Sequence, residues 1–197
     1  MARSILTYLL LFTFQVSFSQ SSDKSLGNKV IPVSELFKIT SYIKSNIETF
    51  SQDSFNLYFE KNLNLYRHSY GLDPVYYDKP VIKASLEQSD YCLKLGYLNH
   101  KQPQSIKEDA EDRCEFYGVK CLGTRENLMM GNMLHTVLIG WEDGCDFYDT
   151  LSKMILKCWK LSPGHNTALL SYGQTFAVGI SRDSTNTMVA CYLLIDN

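Results

Sequence analysis

Histidine is scarce in this chain, so the spacing around each one decides where proton or ligand chemistry could sit. Four are present: His68, His100, His135 and His165. In WKLSPGHNTALL, residues 159–170, an apolar helical pattern runs into Pro163 and Gly164 immediately before His165. Proline lacks an amide hydrogen and pushes its predecessor out of the helical region, and glycine accepts dihedrals that other residues resist, so the pair stops the helix and places His165 by a turn. His100 follows Gly96, a C-cap candidate, so both histidines are offered from helix ends toward whatever lies between those ends. A histidine placed in this way is either a packed structural group or a ligand and proton carrier. His68 lies inside a helical pattern, and both it and His135 read as surface residues. Ser162, three residues before His165, has no G-x-S-x-G elbow around it and reads as a turn residue rather than a nucleophile. Trp159 closes an amphipathic helix and reads as a core plug.

The elements that position these residues follow from periodicity. Leu36, Ile39, Ile43 and Ile47 mark one face of a helix capped by Ser34, and Phe55, Phe59, Asn62, Leu63 and Tyr66 mark a second helix after a break at residues 51–54. Pro74 and Pro80 bracket a short extended link. Val81, Ala84, Gln88, Tyr91 and Leu95, flanked by Ile82, Leu86 and Leu93, predict a helix that is apolar on more than one side and therefore covered on both faces. Residues 101–125, polar and charged with Gly118 and Gly123, read as a loop with one irregular turn. Phe147, Leu151, Met154, Ile155 and Cys158 predict a helix ending near Trp159. Residues 175–181 and 187–195 are rich in Val, Ile, Thr, Phe and Tyr around a turn-like 182–186, a terminal β-hairpin. There are no internal repeats.

Composition bounds the function. The 197 residues are 45% hydrophobic, 13% aromatic and 20% charged, which suits one compact domain with added N-terminal length. Net charge is -2 with no run of like charges, so nothing points to nucleic acid or an anionic membrane surface as partner. Residues 1–19 carry Arg3, an apolar stretch from Ile5 to Val16 and small residues at Ser17 and Ser19: a signal peptide, followed by a linker and N-terminal helical extension over 20–54. No later segment reaches 18 apolar residues, so no transmembrane segment is expected, and the localisation is secreted or periplasmic. In that oxidising setting, and without a C-x-x-C pair, Cys92, Cys114, Cys121, Cys145, Cys158 and Cys191 read as disulfides rather than metal ligands, with Cys114 to Cys121 the preferred local pair. Cys145 and Cys158 flank one helix and stand about 20 Å apart, too far to bridge. Buried free thiols remain the alternative.

Several stretches, taken in order, resemble one family. LNLYRHSYGLDPVYY, residues 63–77, is similar to an opening N-x-x-R followed by a G-L-x-P-L turn; ASLEQSDYCLKLGYLNH ends on His100; RENLMMGN stands where G-E-N-[IL] is expected; and CWKLSPGHNTALL resembles W-x-x-S-P-G-H-x-x-N-[IL]-L. The chain looks like a member of the CAP superfamily of cysteine-rich secretory, antigen 5 and pathogenesis-related proteins, nearest its bacterial members. The resemblance implies an α+β fold, an α-β-α sandwich with helices on both faces of a small, mostly antiparallel sheet, over a CAP-like domain of residues 55–197. It also implies that His100, Glu126 and His165 line one groove. Arg125, Ala168 and Ser162 depart from the family pattern, Ser162 standing where a second cavity glutamate is expected.

Two neutral imidazoles and one carboxylate are the ligand set of an open zinc site with water in the fourth position, so His100, His165 and Glu126 are expected to hold zinc or another divalent metal. Without metal the same set makes a hydrogen-bonded polar cluster in which Glu126 fixes the imidazole tautomers. The function expected is a secreted binding or interaction domain whose partner is a small apolar ligand, a peptide or a cell-envelope component, with catalysis left open. The alternative is a secreted hydrolase of protease or esterase type that uses a metal-bound or His/Glu-oriented water. A scaffold with a vestigial groove is the third reading.

Overall fold

The computed structural model describes residues 32–142 and 144–196. The expected signal segment and the polar linker up to residue 31 lie outside the described residues. Helices α1 (Val33–Glu48) and α2 (Gln52–His68) follow each other directly, and the Ser51 hydroxyl caps α2 by accepting from the Ser54 amide at 3.2 Å. A two-residue strand β1 (Tyr76–Tyr77) leads into α3 (Lys79–Leu95). Gly96, at φ 76°, closes α3 in the left-handed conformation that glycine adopts without penalty. A 3-10 turn at Ser105–Lys107 and helix α4 (Ala110–Phe116) come next. Then follow β2 (Gly123–Asn132), α5 (Met133–Gly140), α6 (Phe147–Lys160), α7 (Pro163–Leu170), β3 (Thr175–Arg182) and β4 (Thr187–Asp196).

The strands form one sheet in the order β1-β3-β4-β2, with β1 parallel to β3 and the other pairs antiparallel. Strand β4 shows why it is covered on both sides: Met188, Ala190, Tyr192 and Leu194 enter a core with Phe55 and Phe59 of α2, Leu151 and Trp159 of α6, and Leu169 of α7. The alternate residues Val189, Cys191, Leu193 and Ile195 enter a second core with Val81 and Ala84 of α3 and Cys114 of α4. A strand buried on both faces reads as a continuous apolar run rather than an alternation. The result is the α-β-α sandwich the sequence implies, with α3 and α4 on one face and α2, α6 and α7 on the other. Helix α3 comes so close to the sheet that a Cβ on Gly179 would overlap the backbone of Ser85 and Leu86.

Three expectations change. Residues 101–125 are not loop alone: they contain the 3-10 turn, α4 and the start of β2. Helix α4 is too short for periodicity to show, but it carries a capping box in which Asp109 accepts from the α4 amides and Asp112 returns to the Asp109 amide. Pro163 and Gly164 do not turn the chain away from helix. They open α7, with proline at the start where its missing amide hydrogen has no partner to lose. The six cysteines are free thiols; Cys92, Cys114 and Cys191 pack in the second core as small apolar groups.

Candidate functional site at the edge of the sheet

Strand β2 is one edge of the sheet, and alternation along it sends consecutive side chains to opposite faces. Glu126 pairs in register with Leu193, and Asn127 with Tyr192. Glu126 therefore faces the α3/α4 layer and Asn127 the α6/α7 layer.

On the first face the Glu126 carboxylate is held at both oxygens. Oε1 lies 2.7 Å from Nδ1 of His100, whose side chain remains 59% exposed while that of Glu126 is 6% exposed. Oε2 accepts from a guanidinium nitrogen of Arg113 in α4, a side chain with no exposure at all. The Cys191 thiol also points at Oε2, at 3.5 Å, and burial raises that thiol well above its ordinary range, keeping it protonated as a donor. A second Arg113 nitrogen faces the carbonyls of Glu108, Lys107 and His100 at 3.3, 3.4 and 3.5 Å. One buried guanidinium thus ties α4 to the carboxylate and to the chain that leaves α3. The hydrogen bond to Glu126 lifts the His100 imidazole above its usual range against the opposing effect of burial, so the pair resembles the carboxylate–imidazole couples that fix a tautomer and an orientation.

On the second face, His165 sits in the first turn of α7, half-buried. Asn127, fully buried, donates from Nδ2 to the His165 carbonyl at 2.9 Å. Trp159, 1% exposed, donates its indole N–H to the Leu128 carbonyl at 3.3 Å, which fits its reading as a core plug whose polar edge still finds a partner. The His165 imidazole is held below its ordinary range by burial first and by the charge of His100 second. The two histidines are thus tied to opposite faces of β2, His100 through its ring to Glu126 and His165 through its carbonyl to Asn127.

The structure brings His100 and Glu126 into direct contact and sets His165 near them through its backbone tie to Asn127. His68 and His135 are exposed on α2 and α5, apart from this cluster. The sequence reading missed Arg113, hidden in the stretch taken for a loop; its only local signal was the Asp109–Asp112 cap that begins α4. It also gave no role to Asn127 beyond being a neighbour. For a divalent ion the arrangement is unfavourable. With Nδ1 of His100 on Glu126, a metal could use only Nε2, on the far side of the ring from the carboxylate, so the three side chains do not converge on one point. Among the described residues no group of three or more His, Cys, Asp and Glu side chains is placed to hold a metal. The carboxylate suits an orienting role instead.

Comparison with known proteins agrees with this architecture. Among solved structures, an extracellular SCP-domain protein from Bacillus anthracis superposes with a TM-score of 0.53 at 16% identity, over 74% of this chain and 41% of that one. This chain thus spans less than half of the Bacillus protein. An outer surface protein of Borrelia burgdorferi gives 0.51 at 19% identity, over 72% of this chain and 90% of that one. The CAP domain of enterococcal PrgA gives 0.50 at 17% identity, over 81% and 70%. At such identities these likenesses speak for the fold alone. No curated protein matches the chain in sequence. Residues 61–193 match the family described as the cysteine-rich secretory protein family, CAP, and since that match covers most of the folded part, the chain belongs to the CAP family.

Proposed function

We propose that this chain is an extracytoplasmic CAP domain that binds a small amphipathic or peptide ligand at the open edge of β2, with His100 and His165 as the polar contacts. The observation that carries this reading is the His100–Glu126–Arg113 line. It fixes one imidazole by Nδ1 and leaves most of its ring exposed to a ligand, while Asn127, the next residue of β2, holds the backbone of His165, whose imidazole burial keeps toward the neutral form. Two such imidazoles can offer a donor and an acceptor, the kind of polar groups that orient a ligand. A recess of about 260 Å³ lined by Thr124, Arg125, Ser171 and Tyr172 adjoins the same strand and the end of α7. The apolar N-terminal segment supports export, and no described helix is long and apolar enough to cross a membrane.

Hydrolysis is the second reading, because an imidazole backed by a carboxylate can draw a proton from water. Against a covalent mechanism, among the described residues neither imidazole is hydrogen-bonded to a serine, threonine or cysteine side chain. The test presents the purified protein with a saturated fatty acid, a sterol and a mixed short-peptide library while histidine ring signals are followed by NMR. In parallel, general peptidase and esterase substrates are offered. Binding should be saturable, perturb His100 and His165, and weaken at least about tenfold in His100→Ala or His165→Ala, a loss of roughly 1.4 kcal/mol. Turnover abolished by the same substitutions would establish the hydrolase instead.

A further inference from the structure

The Glu126 carboxylate, in contact with His100 and almost fully buried, calls for a positive partner, and here that partner is supplied from inside. Arg113 is fully buried, its guanidinium donates to Glu126 Oε2, and its other contacts are backbone carbonyls at the end of the α3 connection and along the 3-10 turn. We infer that Arg113 is the resident cation of this site: it takes the place on Glu126 that a divalent metal would need, so the cluster is held in its binding geometry without metal.

Three observations converge on this. The first oxygen of Glu126 is spent on Nδ1 of His100, which turns the remaining nitrogen of that ring away from the carboxylate. The second is shared by Arg113 and the Cys191 thiol, and an ion approaching it would meet a buried positive charge that cannot move into solvent. No other carboxylate, imidazole or thiol among the described residues completes a set of three. Arg113 is also a better fit than a lysine would be, because a planar guanidinium can hold the carboxylate with one nitrogen and the carbonyls of His100, Lys107 and Glu108 with another. It thereby positions His100 twice, through the carboxylate that orients the ring and through the residue's own carbonyl.

The inference rests on the same cluster as the binding reading, but its test uses metal alone, so the two fail separately. Wild type, Arg113→Met and Arg113→Lys are melted in chelator and in excess zinc, and zinc is titrated into each by calorimetry. Wild type should show no saturable heat and no zinc-dependent change in Tm, and Arg113→Lys, which keeps a cation, should behave alike. Arg113→Met should gain a zinc-dependent rise in Tm, because the freed carboxylate can turn to metal and binding to the native state stabilises it by mass action. A folded Arg113→Met without any zinc response overturns the inference, since Arg113 would then not be what keeps metal out. If Arg113→Met does not fold, the wild-type histidine NMR signals decide: saturable zinc-induced changes at both His100 and His165 overturn the inference, and signals indifferent to zinc sustain it.

Discussion

The side chain of Asn127 holds His165 by its backbone: Nδ2 of Asn127, buried on the α7 face of β2, donates to the His165 carbonyl at 2.9 Å. Glu126, one residue earlier, holds His100 on the opposite face. Two adjacent residues on an edge strand therefore set the positions of two histidines that belong to different layers.

Removing the first of these ties should loosen α7 on the sheet. Asn127→Ala is expected to cost about 1–3 kcal/mol, the penalty for leaving a buried acceptor unsatisfied. Asn127→Asp should cost more at neutral pH, because a carboxylate would face the carbonyl with no hydrogen to give. Urea denaturation of both variants checks this; an aspartate tolerated as well as alanine would show that no donor is needed there.

The buried pair on the other face should be more sensitive still. Glu126→Gln leaves the Arg113 guanidinium without its counter-charge in a site with no exposure, and such unpaired burial costs about 3–5 kcal/mol. The loss should be present in chelator. Arg113→Met combined with Glu126→Gln should cost less than the sum of the single changes, because the double variant buries no lone charge. Additive losses would mean that the two side chains do not act as a pair.

The two histidines should titrate on opposite sides of the ordinary imidazole value. His100 is raised, chiefly by its hydrogen bond to Glu126, and His165 is lowered, chiefly by burial. For His100 the folded state holds the proton more tightly, so its contribution to stability is full below the unfolded value and is lost as pH rises through the folded one. For His165 the sign is opposite: its contribution is full above the unfolded value and is lost as pH falls toward the folded one. NMR titration of the ring C–H signals checks the order, and Glu126→Gln should bring the His100 midpoint down. Equal midpoints in wild type would contradict the geometry.

Packing of α3 offers a test away from the site. Gly179→Ala places a methyl against the backbone of Ser85 and Leu86, where no side chain can rotate aside, so a loss of about 1–3 kcal/mol is expected from overpacking. A variant as stable as wild type by thermal denaturation would show that α3 can lift off β3 freely.

Much of the fold was legible because its signals are local. The periods of α2, α3 and α6 appear directly in the spacing of their apolar residues, and β3 and β4 in their run of branched and aromatic ones. The N-x-x-R stretch is a clasp with a visible cause: Asn64 pairs its side chain with both backbone groups of Val75, at 2.8 and 2.9 Å. Arg67, its partner in that motif, donates to the carbonyls of Asp73, Leu169 and Ser171 at 2.8–2.9 Å. Less legible were α4, whose seven residues complete barely two turns, and α7, where a proline that ends one helix also begins the next. For the cysteines, composition speaks for the setting in which bridges form but says nothing of side-chain packing, which places Cys92, Cys114 and Cys191 in the second core.

By itself, the sequence determined α1, α2, α3, α6 and the β3–β4 hairpin with their order along the chain, membership of the CAP family by resemblance, and the identity of His100, Glu126 and His165 as the residues to examine. Those follow from periodicity and motif, which are properties of neighbours along the chain. Only the tertiary structure decided that Glu126 meets Arg113 and Cys191, that Asn127 grips the His165 backbone, and that the carboxylate is committed to holding a ring. These contacts join residues 13, 38 and 65 positions apart, and they exist because the pleat of one edge strand sends consecutive side chains into two different layers.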